Sequence, residues 1–151
     1  MGLGRTTRFA PAPAGTRRVN VMRAGRAGLK ELAPPPDLFA DFQREKAALK
    51  KSGLDLGQTH LETFRRVRYR ERYLNAIRTS DEAMNALRTL VEEARSGDVY
   101  LMCMCPYRTP GDACHTYLLL ELAHELDAGL AILPEPQPRT PSRESSRQSS
   151  T

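Results

Sequence analysis

The chain has 151 residues, enough for one domain with a real core, and carries a formal net charge of +5. No apolar run approaches the length of a membrane span, and no apolar stretch follows Arg5 and Arg8, so neither a transmembrane helix nor a secretory signal is expected. Three cysteines without such a signal argue against a disulfide scaffold and for a reducing, cytoplasmic setting.

Residues 1–16 are rich in Gly, Ala, Pro and Arg without apolar periodicity, and are expected to form a disordered basic arm. From Met1 to Lys30 there is no acidic residue, but there are Arg5, Arg8, Arg17, Arg18, Arg23, Arg26 and Lys30. Such an arm attracts polyanions, which makes a nucleic-acid-associated basic module one function class to weigh. Arg18-Val19-Asn20-Val21-Met22-Arg23 alternates apolar and polar, the period of a half-buried strand. Pro34-Pro35-Pro36 then interrupts regular structure, because consecutive prolines enforce extended geometry.

Asp37 is placed to cap a first helix, with Leu38, Phe39, Phe42, Ala47 and Leu49 at near-helical spacing and Gly53 able to close it. A second helix is predicted to open at Thr59, where Glu62 completes a capping box, with Leu61, Phe64, Tyr73, Leu74 and Ile77 as its buried stripe. Arg65, Arg66, Arg68, Arg70 and Arg72 lie between them. Interleaved with Tyr69 and Tyr73, these arginines suit a solvated face or phosphate contact with base stacking. Ser80 caps a third helix whose apolar face is Ala83, Met84, Leu87, Leu90, Val91 and Ala94, with Gly97 ending it.

Asp98 to Cys105 is a nearly continuous apolar run, read as a strand buried on both faces. A turn-rich loop from Pro106 to Asp112 leads to an apolar helix from about Ala113 to Asp127, and Leu130 to Leu133 reads as a last short strand. Residues 134–151 have no large apolar side chain and are expected to be a disordered Pro/Ser/Arg tail. The order strand, helices, strand, helix, strand predicts a single α/β domain over residues 17–133, with a small, mostly parallel sheet flanked by helices.

Ligands of open parallel sheets bind where strand ends meet helix N-termini. Cys103 and Cys105 fall at such a strand end, and Cys114 and His115 at the start of the next helix. Three readings follow. Cys114 is a nucleophile or redox thiol, its thiolate favoured by the helix N-terminus and the adjacent imidazole, with Cys103 or Cys105 as resolving thiol. Alternatively, Cys103, Cys105, Cys114 and His115 hold zinc in a structural site, although cysteines two apart on a strand lie roughly 6.5 Å from each other, and neighbours on a helix diverge. In the third, the helix N-terminus binds a small anionic ligand, with His115 or Arg108 assisting. Against all three stands simple packing, since free cysteine is often buried and inert. His60, in a first helical turn, is expected to be solvated, and His124 to lie at the surface.

Leu32-Ala33-Pro34-Pro35-Pro36-Asp37, an aromatic-rich helix with Phe64, Tyr69 and Tyr73, the run Val99 to Cys105, and Ala113-Cys114-His115 together resemble the DUF488 family. The resemblance covers roughly Val19 to Leu126. It implies an α/β protein of uncharacterised function, whose apolar strand ends in Cys and whose next helix opens on Cys-His-Arg. Cys103, Cys114 and His115 are the matching positions, which the resemblance makes the candidate metal or active site. Thr116 stands where the family usually has Arg, so a guanidinium must come from elsewhere; Arg108 is one candidate. The N-terminal region is short for the family, with one strand before Pro34, as if an edge strand were missing.

Overall fold

A chain with several short β-prone runs and one long helical middle must bury both in one core, and here the sheet is the scaffold. The computed structural model describes residues 1–10 and 12–138. Its strands are β1 (Gly2–Thr7), β2 (Arg17–Asn20), β3 (Val99–Cys103) and β4 (Ala131–Ile132), all parallel, in the order β2-β3-β1-β4. The helices are α1 (Pro36–Leu49), α2 (Leu56–Arg66), α3 (Tyr69–Arg78) and α4 (Asp81–Ser96), all between β2 and β3, and α5 (His115–Leu126) between β3 and β4. The fold is thus α/β, with helices flanking a small parallel sheet. Among the described residues, no helix is long and apolar enough to cross a membrane.

The basic arm expected over residues 1–16 is overturned in its first half, because Gly2–Thr7 is β1, an interior strand paired with β3 and β4. The missing side chains explain both the burial and the misreading. A Cβ on Gly4 would come 2.9 Å from Leu133 Cβ and 3.0 Å from the Tyr100 ring, so the strand is covered because glycine lets its neighbours approach. An expected Leu-like alternation is therefore absent from a fully buried strand. Two strands, not one, precede Pro34. Of the expected disordered tail, residues 139–151 lie outside the described residues; Leu133 and Glu135 contact β1 through the Leu3 carbonyl and the Arg5 side chain.

Local signals explain most helix ends. Ser80 Oγ accepts from the Ala83 amide and opens α4, as capping chemistry predicts. Two expectations shift. Asp37 sits in the first turn of α1 rather than at its cap, because Pro35 occupies that place and Pro36 is tolerated at the first helical position. The second helix opens at Leu56, not Thr59, because Asp55 accepts from the Gln58 amide at 2.8 Å. It then breaks at Arg68, which adopts a left-handed conformation (φ 54°). That turn brings Tyr69 into the core, stacked on Phe64 at 4.6 Å between ring centroids. Leu87, Leu90 and Leu101, with Leu119, Leu122 and Tyr73, fill the core between α3, α4, α5 and the sheet.

The arginine-rich face of α2 and α3 is largely paired. Arg66 meets Glu45 and Glu62, Arg70 meets Glu121, and Arg72 meets Asp41 and Asp37.

Candidate functional site

β3 ends at Cys103, so Cys105 lies beyond the strand, where the chain is free to turn. The connection back to α5 is built from unusual backbone: Arg108 (φ 51°), Gly111 (φ 65°) and Asp112 (φ 52°) are all left-handed. Thr109 closes it by donating to the Pro106 carbonyl at 2.7 Å. Gly111 is required there, since a Cβ would meet Leu61 Cδ1 at 2.6 Å. The loop thereby returns Cys114 to the strand end as the N-cap residue of α5, in extended conformation.

The three sulfurs of Cys103, Cys105 and Cys114 lie within 4.8 Å of one another, and Cys103 and Cys114 are 3.3 Å apart. The 6.5 Å separation expected along a strand does not apply, because only Cys103 of the first pair is in the strand. His115 completes the group: its Nδ1 faces Cys114 Sγ at 3.8 Å, while Nε2 donates to the Val21 carbonyl at 2.9 Å. That bond fixes the tautomer, leaving the Nδ1 lone pair toward the sulfur. Cys103 and Cys114 are buried, as is His115, and Cys105 is half-buried.

The guanidinium that Thr116 does not carry comes from β1. Arg5, 1% exposed, donates from Nε to Thr116 Oγ1 at 2.8 Å and from Nη2 to Cys103 Sγ at 3.2 Å. Thr116 in turn donates to Cys114 Sγ at 3.2 Å. The far side of Arg5 is held by Glu135 at 2.8 Å and by Tyr117 Oη at 3.0 Å. Arg108 does not take this role: it is exposed, with its guanidinium over its own neighbour, the Tyr107 ring.

These surroundings separate the three thiols. Burial works against a Cys114 thiolate, but hydrogen bonds from Cys103, Cys105 and Thr116, with the Arg5 charge, outweigh it and hold Cys114 well below the ordinary thiol range. A hydrogen bond with Cys105 works to lower Cys103, yet its contact with Cys114 and its burial push it up. Cys105 is raised, through its contacts with Cys103 and Cys114 and by burial. The surroundings thus favour ionisation of Cys114 over its two neighbours. Burial keeps His115 below the usual imidazole range, so it is neutral at pH 7.

Three convergent thiols are suitable soft-metal ligands. A buried guanidinium already stands against Cys103, where it opposes a dication, while His115 keeps its Nδ1 lone pair toward Cys114. The arrangement is a cluster of three thiols with a buried guanidinium against one of them.

The cluster opens onto a cavity of about 380 Å³, whose walls include Phe39, Phe42, Phe64 and Tyr69. His60 also lines it and is not the solvated residue expected: Nε2 donates to the Ala113 carbonyl at 2.6 Å and lies 3.9 Å from Cys105 Sγ. His124 is exposed. Sequence reasoning missed Arg5, His60 and Glu135. The only local hint for Arg5 was the β-prone Thr6-Thr7 beside it. Comparison of the chain with family models, with curated proteins and with solved structures gives no match.

Proposed function

We propose that the chain is a DUF488-like, thiol-dependent enzyme or ligand-binding protein that uses Cys114 as its reactive thiolate. One observation carries the reading: Cys114 is the N-cap residue of α5, its Sγ accepts from Thr116, and it lines a cavity in a cluster that a buried guanidinium borders. Cys103 Sγ lies 3.3 Å from the Cys114 sulfur, neutral His115 turns its Nδ1 lone pair toward it, and the proton lost on ionisation passes to solvent.

With the thiolate preformed, attack on an electrophilic carbon forms an S–C bond, and the leaving group departs with its electron pair and takes a proton from solvent. Water then breaks the S–C bond, its hydroxyl joining the ligand carbon and its proton passing to solvent, which restores the thiolate.

Iodoacetamide alkylation of the native chain, resolved by site with mass spectrometry across pH, tests the proposal. Cys114 is expected to show an inflection well below the value of about 8.5 for an unperturbed thiol. An inflection at or above that value, with the protein folded, sinks the reading.

A further inference from the structure

We propose that the cavity above Cys114 takes a small ligand with a flat aromatic body and one acidic group, a carboxylate or a phosphate. This rests on the reading of Cys114 as the reactive group and names the class of molecule presented to it.

The walls argue for the aromatic body. Phe42 presents to His60 edge-on at 5.1 Å and 68°, and to Tyr69 at 5.7 Å and 78°, while Phe64 lies almost parallel to Tyr69. Four aromatic rings thus meet in the cavity lining, an apolar surface against which a flat ring packs favourably. A volume of about 380 Å³ suits one or two fused rings with a substituent.

Charge argues for the acid. Among the described residues no carboxylate lines the cavity, but Arg23 and Lys46 do. Arg5, Arg17, Arg66, Arg70, Arg72, Arg78 and Arg95 all have carboxylate partners, and Arg23 and Lys46 have none among the described residues. Arg23 is nonetheless held in place, through Nε to the Pro34 carbonyl at 2.8 Å and Nη2 to the Lys30 carbonyl at 3.2 Å. Its Nη1 is left without a partner among the described residues. Lys46 Nζ lies 5.7 Å from the Phe42 ring centre. Two positioned cations beside an apolar cavity are what an anion at the end of an aromatic group requires.

The same charges set the orientation. Cys114 lies in the buried part of the lining, and Arg23 and Lys46 are both half-exposed toward solvent. The acid of the ligand lies outward on the cations, and its reactive end points inward to the sulfur.

Fluorescence titration of the full chain with naphthyl probes decides the matter, helped by the absence of tryptophan. 2-Naphthoate and 1-naphthyl phosphate are expected to bind about tenfold more tightly than neutral 2-naphthamide, and more tightly than decanoate. Whichever of the two binds better names the acid. Lys46→Gln, on a solvent-facing stretch of α1, is expected to remove most of that tenfold preference while leaving naphthamide binding unchanged. Equal binding of naphthoate and naphthamide, tighter binding of decanoate, or no binding overturns the proposal. Cys114→Ser must still bind the anionic probes, so the ligand class is judged apart from thiol reactivity. A low alkylation inflection without probe binding rejects the ligand and keeps the thiolate, and the converse does the opposite.

Discussion

Replacing Arg5 by Met removes the buried positive charge of the site while keeping much of its volume. Arg5 Nη2 lies 3.2 Å from Cys103 Sγ, which is 3.3 Å from Cys114 Sγ. The guanidinium is therefore no farther than about 6.5 Å from the thiolate, and at an effective dielectric of about 20 that separation is worth about 2.5 kcal/mol, close to two pKa units. Loss of the Thr116 contact acts in the same direction, because that hydroxyl is oriented by Arg5 Nε. The alkylation inflection of Cys114 is expected to rise by about two units in Arg5→Met. The variant also strands Glu135, 18% exposed, and breaking one side of a buried pair costs about 3–5 kcal/mol. Arg5→Met with Glu135→Gln removes both charges, and is expected to regain stability in urea while keeping the raised inflection. Thermal and urea unfolding followed by circular dichroism separate the two effects. A folded double variant whose Cys114 titrates like the wild type would refute the electrostatic argument.

Two further outcomes follow from the same geometry. His60 and His115 are held by burial below the ordinary imidazole value of about 6.5, so the unfolded chain binds more protons than the folded one. Stability is thus fully present above that value and lost as pH falls through the folded pKa values; His115→Gln should make the urea midpoint less sensitive between pH 7 and 5, and an unchanged slope would contradict the burial argument. Gly4→Val places a side chain against Leu133 and Tyr100 in an interior strand. It is expected to destabilise by about 1–3 kcal/mol or more, measured by urea unfolding, whereas a disordered arm would tolerate it without effect.

What can be read locally in this chain is what local physics controls. The Ser80 cap and the Leu87, Leu90, Val91 stripe specify α4 within a single segment, and the continuous apolar run from Val99 specifies β3. Cys103 and Cys114 could be placed on either side of one short loop because strand end, loop and helix start are consecutive in the chain. β1 could not be recognised, because its burial depends on glycines that carry no hydropathy signal and on Leu133 and Tyr100, both distant in sequence. The break at Arg68 was hidden for a related reason: an apolar stripe continued through it, and only the packing of Tyr69 against Phe42 and Phe64 rewards the turn.

Sequence alone determined the α/β class, the helical middle and the pairing of a thiol with an imidazole at a helix mouth, since caps, periods and adjacent residues act over a few positions. Tertiary structure alone decided the surroundings of each thiol. The guanidinium of Arg5 stands 111 residues from the Thr116 that it meets, and it is balanced by Glu135 from the other end of the described chain. Electrostatic selection depends on distance through space and on exclusion of water, and neither is written in the spacing of residues along a chain.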